Sequence, residues 1–424
     1  MSRKKMILVV CTVLALNVWA CGDNTADMKD AEALNPEMAT TEVLITEAAT
    51  TEIVSEVMTS ATTTAATSVE SSTEEGEDTV VTLQNVLATH NMKAGTCLSE
   101  YMITDAKCVE FIKENFNSIT FENLLKPDYI LNQKASQAKG DIVVEFNSAT
   151  ESLLKWCADN GMSLRGHTLI WHSQTPDWIF HEDFDTNKPF VGRDVMLARM
   201  ESYISQVFKL LEDKGYIKLF YAYDVVNEAW EDNGTRRNSL WLNTIGEDYL
   251  WYAFYYADKY APDYIDLYYN DYNEQYKTDT LSAFVKTLVD KEGRYLIDGI
   301  GLQGHLYTGD NVRNYLSAVE KYGSTGLKVC ITELDVGLGA YKAVKQPTEE
   351  NLKLQGRYYY NLINGILKLV DEGKVKMDSL TWWGFADGLS WRNDCSPLLL
   401  DKDYNPKYAY YAALQVKEQA GFDK

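Results

Sequence analysis

No two of the seven cysteines in this 424-residue sequence stand in CxxC spacing. That absence excludes the common zinc-site patterns. Two of the seven, Cys11 and Cys21, fall in the leader of the chain. The other five, Cys97, Cys108, Cys157, Cys330 and Cys395, are an odd number and cannot all pair, so buried thiols are expected. A basic patch is also missing. Forty Lys and Arg stand against 62 Asp and Glu, a formal charge of −22, and the arginines are scattered. Nucleic acid and anionic membrane surfaces are therefore excluded as partners, whereas a neutral polymer would not be repelled. No Gly-rich phosphate loop follows an early strand, which argues against a doubly wound nucleotide fold. No short-period repeat marks a solenoid. From Asn24 to Val80 there is no aromatic residue at all, and 13 acids meet one lysine.

That aromatic-free stretch contains "TSATTTAATSVESSTEEGED". It cannot bury enough apolar surface to offset its ordering entropy, so residues 22–80 read as a disordered, self-repelling acidic linker. Ahead of it, Arg3, Lys4 and Lys5 precede an apolar run from Met6 to Ala20, a basic start and short apolar core. Residues 1–20 read as a secretory signal peptide. Cys21 directly after Ala20 resembles a bacterial lipoprotein cleavage box. The expected mature protein is either lipid-anchored through Cys21 or free after ordinary cleavage. Both forms are secreted or cell-surface.

From about Val81 to Lys424 the composition is globular, with 28 Tyr and 10 Trp in the whole chain. Such an aromatic excess suits a stacking surface for sugars or bases, and equally a packed core. Eight β-rich runs recur: "KAGTCLS", "FNSITFEN", "SLRGHTLIWH", "FYAYDVVNEAW", "YIDLYYNDYN", "IDGIGLQGHL", "LKVCITELDV" and "SLTWWGFAD". Most are separated by segments of 3.6-residue periodicity ending near glycine, such as "SATESLLKWCADNG" and "DTLSAFVKTLVDKEG". Eight strands alternating with helices predict an α/β fold, a (β/α)8 TIM barrel over 81–424, with a doubly wound sheet as the competitor.

Active sites of such barrels lie at the carboxyl ends of the strands. Nearly every candidate strand here ends in polar or aromatic residues. Among them are Glu122 and Asn123, His167, Trp171 and His172, Asn227 and Glu228, Asn270 to Asn273, Gln303 and His305, Glu333 and Asp335, and Trp382, Trp383 and Asp387. Glu228 and Glu333 stand out because each follows an apolar run, "YDVV" and "VCIT". On strands four and seven they could face each other across a cleft, as glycoside hydrolysis requires of an acid and its partner carboxylate. A separation of about 5–5.5 Å would mean retention, and about 6.5–9.5 Å inversion.

The motifs together resemble those of family 10 glycoside hydrolases, the retaining endo-β-1,4-xylanases, from about Leu83 to the C-terminus. "FENLLK", "RGHTLIWHSQTPDW", "DVVNEAW", "GLQGH", "ITELDV" and "WWGFADGLSW" occur in the family's order. The resemblance implies hydrolysis of internal bonds of xylan through a covalent glycosyl-enzyme. It implies Glu228 as acid/base, Glu333 as nucleophile, and Asn227 as the residue holding the sugar 2-hydroxyl. His305 and Asp335 would orient Glu333. Glu122, Asn123, Lys126, His167, Trp171, Gln174 and Gln303 would contact glycone sugars. Trp383 and Trp391 would wall the cleft, Gln174 and Trp391 would crowd a C6 hydroxymethyl, and Tyr272 and Asn273 would reach the aglycone. Trp382 reads as core. No metal or cofactor is expected, and a monomer is. The rival readings are a β-1,4-glucanase on the same fold and a non-catalytic surface glycan-binding protein.

Overall fold

The computed structural model describes residues 81–422, so the expected signal peptide (1–20), Cys21 and the linker (22–80) lie outside the described residues. Each of the eight β-rich runs contains a barrel strand: β1 Lys93–Leu98, β2 Ser118–Phe121, β3 Ser163–Trp171, β4 Phe220–Asn227, β5 Asp266–Asp271, β6 Gly299–Leu302, β7 Lys328–Gly337 and β8 Ser379–Trp382. Neighbours pair in parallel, and β8 bonds to both β7 and β1. The sheet therefore closes into the expected (β/α)8 barrel, which leaves no exposed edge. The strands are buried almost throughout, as parallel strands with a packed interior and an outer helix ring must be.

A helix follows every strand: Ala106–Asn115, Ser148–Asp159, Arg193–Asp213, Tyr249–Tyr260, Thr278–Val285, Val312–Gly323, Glu349–Asp371 and Tyr408–Ala413. Local chemistry sets their ends. Asp105, Asn147, Asn311 and Thr348 cap helix starts by accepting backbone N–H bonds. The helices Ser148–Asp159 and Arg193–Asp213 run into Gly161 and Gly215, at φ +66 and +80, where a side chain would be strained.

Two details differ from the periodicity. The segment "DTLSAFVKTLVDKEG" is helical only over Thr278–Val285. Beyond it, Asp290 accepts bonds from the Glu292 and Arg294 amides, a turn that competes with the helix. The run "IDGIGLQGHL" breaks after Leu302. Gly304, at φ +75, turns the chain, and His305–Tyr307 forms a short strand pairing His305 with Asp335. The five described cysteines are free and buried.

Candidate active site

Backbone hydrogen bonds extend the barrel ladder to the candidate residues. Glu228 N–H donates to Asn270 O at 2.9 Å, Gln303 N–H to Asp271 O at 2.9 Å, Glu333 N–H to Gln303 O at 2.9 Å and Trp383 N–H to Leu334 O at 3.1 Å. The candidate residues thus stand on rigid rungs at one end of the barrel. Glu228 itself adopts φ +54, a left-handed conformation uncommon for a residue with a Cβ. Its own amide bond and that from Ala229 N–H to Tyr269 Oη, at 3.0 Å, hold the chain there as it leaves the sheet.

The two glutamates are joined by a chain of amides. Asn270 Nδ2 donates to Glu333 Oε1 at 2.8 Å and to Asn227 Oδ1 at 3.0 Å. Asn227 Nδ2 donates to Glu228 Oε1 at 3.1 Å, and Gln303 Nε2 reaches the same oxygen at 2.9 Å. Their other oxygens differ. Glu228 Oε2 accepts from the Trp171 indole at 3.0 Å, whereas Glu333 Oε2 lies 3.3 Å from His305 Nε2. His305 Nδ1 is 3.1 Å from Asp335, which also pairs with Arg392.

The electrostatics follow from these contacts. Burial pushes the Glu333 carboxyl up. The His305 hydrogen bond and the charges of His167, His305 and Arg165 outweigh it and hold the group at about 2, below the ordinary 4.5. Burial pushes His305 down, but Asp335 and Glu333 lift it to about 10, so the ring is a cation at neutral pH. Beneath, Asp224 pairs with Arg165 and lies 2.8 Å from His167 Nδ1. Arg165 also donates to Thr332 O at 2.8 Å, one residue before Glu333. A fully buried charge cluster thus underlies Glu333.

The residues implied as sugar contacts fall into groups. Lys126 Nζ donates to Asn123 Oδ1 at 3.0 Å and to Gln174 Oε1 at 2.7 Å, and stands 4.9 Å over the Trp171 ring. Glu122 accepts from Ser99. Burial lowers the Lys126 ammonium, opposed by the carboxylates of Glu333, Glu122 and Glu228. His167 packs on Trp383 at 5.5 Å and on Trp171 at 6.3 Å. Trp391 packs on His305 at 5.2 Å and is 43% exposed, a ring face open to solvent, whereas Trp383 is 6% exposed. Tyr272 and Asn273 sit on the loop after β5, held by Arg237 at 2.7 Å and by Asp232 at 3.0 Å.

Two strand-end residues stand apart from this group. Trp382 is fully buried, as expected of core. Asp387 pairs with Lys407 at 2.9 Å and accepts from Leu398 N–H, a structural role. Sequence reasoning passed over Arg165, Asp224 and Arg392, and gave Asn270 no role. Charged residues in the middle of the apolar strands "SLRGHTLIW" and "FYAYDVV" are the signal that could have found the first two.

A (β/α)8 barrel thus carries two carboxylates, on β7 and just after β4, joined by a chain of amides. The chain belongs to glycosyl hydrolase family 10, whose model matches residues 82–416. It is 39% identical over 327 residues to the bifunctional endo-1,4-beta-xylanase XylA of Ruminococcus flavefaciens, covering 75% of this chain and 32% of that protein. It is 36% identical to endo-1,4-beta-xylanase B of Butyrivibrio fibrisolvens, covering 76% of this chain and 51% of that one. The chain therefore spans about a third to a half of the length of these relatives. Among solved structures it is similar to the CBM22-1–GH10 modules of Clostridium thermocellum endo-1,4-beta-D-xylanase 10B complexed with xylohexaose. That match has TM-score 0.71 and 33% identity, and covers 83% of this chain and 70% of the other.

Proposed function

We propose that this chain hydrolyses internal β-1,4-xylosidic bonds of xylan with retention of anomeric configuration. The observation that carries it is the unequal setting of two carboxylates joined by one amide chain. Glu333 is held as an anion beside the His305 cation, and Glu228 is held by an indole and amides. The xylanase relatives and the xylohexaose complex support xylan as the substrate.

In the first step Glu228 gives its proton to the leaving oxygen while Glu333 attacks the anomeric carbon. The glycosidic C–O bond breaks and a glycosyl-enzyme ester forms. In the second step Glu228 takes a proton from water, the water oxygen attacks the anomeric carbon, and Glu333 leaves as carboxylate. Asn227, placed between Glu228 and Asn270, holds the 2-hydroxyl. Glu122, Asn123, Lys126, His167, Gln174 and Gln303 bind glycone hydroxyls, and Trp171, Trp383 and Trp391 pack on ring faces. Tyr272 and Asn273 meet the aglycone. Outside the barrel, the basic and apolar start and Cys21 support export and lipid anchoring of the chain.

Glu333→Ala is expected to abolish turnover. Glu228→Ala should keep its first step on aryl xylosides with good leaving groups and gain turnover with azide, giving a product of retained configuration. Azide rescue of the Glu333 variant with that anomer would reverse the two roles. Faster release of reducing sugar from carboxymethylcellulose than from xylan would overturn the substrate.

A further inference from the structure

Glu228 leaves the barrel at φ +54, and the residues just beyond it are bound from β5 and the loop that follows. Ala229 N–H donates to Tyr269 Oη at 3.0 Å, and that hydroxyl donates to Asp271 Oδ2 at 2.5 Å. Asp271 Oδ1 accepts from Lys277 Nζ at 2.7 Å. Lys277 Nζ also donates to Trp230 O at 3.2 Å. This chain of bonds starts and ends on the segment that carries Glu228: Tyr269 holds Ala229, and Lys277 holds Trp230.

Tyr269, Asp271 and Lys277 are all buried. A buried lysine and carboxylate are costly to desolvate, and are kept where they are paired and hydrogen-bonded. The proposed reaction uses none of the three. Local geometry brings Lys277 inward. Asn273, at φ +50, turns the chain after β5 into the short helical turn Glu274–Tyr276, and Lys277 N–H closes it on Glu274 O at 3.0 Å. The same two loops are joined again where Asn273 Nδ2 donates to Asp232 at 3.0 Å and Arg237 donates to Tyr272 Oη at 2.7 Å.

We propose that Tyr269, Asp271 and Lys277 are positioning residues that clamp the backbone turn at Glu228 and so aim its carboxyl group at the glycosidic oxygen. The proposal rests on the acid/base role of Glu228. A left-handed residue with a Cβ persists where its surroundings over-determine it. Here Asn270 O fixes the turn on one side, and Tyr269 and Lys277 fix it on the other. With the backbone so held, the carboxyl group meets Trp171, Asn227 and Gln303 together. A general acid acts only within hydrogen-bond reach of the leaving oxygen, so a small shift of the turn costs proton transfer first.

The test uses the full-length protein and two matched hydroxyl deletions on β5. Tyr269→Phe removes one oxygen and keeps the ring against Phe284. Tyr268→Phe removes the neighbouring buried hydroxyl, whose bond is to Cys330 Sγ of β7 at 3.4 Å. Tyr269→Phe should lower kcat on unactivated xylo-oligosaccharides about tenfold, with KM near wild type. Its first-turnover burst rate on dinitrophenyl xylobioside, whose leaving group needs no proton, should be unchanged. Tyr268→Phe should match wild type on both substrates. Lys277→Met should show the same selective loss, and if its unpaired Asp271 prevents folding, Tyr269→Phe decides alone. Equal loss on both substrates in Tyr269→Phe, rates that match those of Tyr268→Phe, or a folded Lys277→Met with wild-type rates overturns the clamp. Glu228→Ala runs alongside: if it retains full activity on unactivated xylo-oligosaccharides, the acid/base role itself fails, a separate outcome.

Discussion

At the scale of single residues, the proposed chemistry depends on how Glu333 is kept ionised. A buried carboxylate without partners would hold its proton, and burial here does push in that direction. His305 reverses the balance because Asp335 and Glu333 make its own ring a cation. Replacing it by Phe removes the bond and the charge, keeps a ring against Trp391, and leaves Asp335 paired with Arg392. The sign is then fixed. With less opposing the effect of burial, Glu333 takes up its proton at higher pH, and the acid limb of kcat/KM in His305→Phe should move up by about a unit or more. Superimposable acid limbs would remove His305 from this role. The partners of Glu333 were only partly legible. "GLQGH" and "ITELDV" pointed to His305 and Asp335, but Arg392 lies 57 residues beyond Asp335 and nothing local links them.

At the scale of elements, the barrel makes room for the amide chain at one small residue. A Cβ on Gly301 of β6 would collide with Asn270 Oδ1 and would lie 2.9 Å from the Thr332 methyl. Asn270 has no slack, because it binds Glu333, Asn227 and Thr332 at once. Gly166 of β3 is comparably tight, but its neighbour is the Tyr223 ring, which packs on Phe208 of the helix Arg193–Asp213. Overpacking at either site should cost about 1–3 kcal/mol of stability. Gly301→Ala should also lower kcat severalfold beyond what its melting temperature accounts for, whereas Gly166→Ala should not. Equal kcat in the two variants at matched stability would break the link between β6 and the amide chain. The strands were legible as elements because buried parallel strands read as apolar runs. The shortening of the helix at Val285 was not, since an Asp290 turn competes with it through side-chain bonds that periodicity does not register.

For the whole molecule, the barrel carries the site, and the part proposed for the N-terminal region is location. Lipid anchoring through Cys21 predicts that the full chain, expressed in a Gram-positive or Gram-negative host, fractionates with membranes. Cys21→Ala should then appear in the soluble fraction with unchanged kcat/KM. Identical partitioning of the two forms would leave only the freely secreted reading. The barrel explains why distant motifs can act as one. Glu228 and Glu333 are 105 positions apart, and closure of β8 on both β1 and β7 brings the ends of all eight strands into a single ring.

The sequence by itself determined the alternation of strands and helices, the polar ends of the strands and the places of Glu228 and Glu333 where apolar runs stop. Those are local patterns: a strand shows its burial in an apolar run and its exposed end in the residue where that run stops. Only the tertiary structure decided who holds what. The Asn270 bridge between both glutamates and the Arg165–Asp224–His167 cluster beneath Glu333 each join side chains from different strands or loops. Such partners are set by barrel closure and register, and hydrogen bonds and charge interactions act across space rather than along the chain.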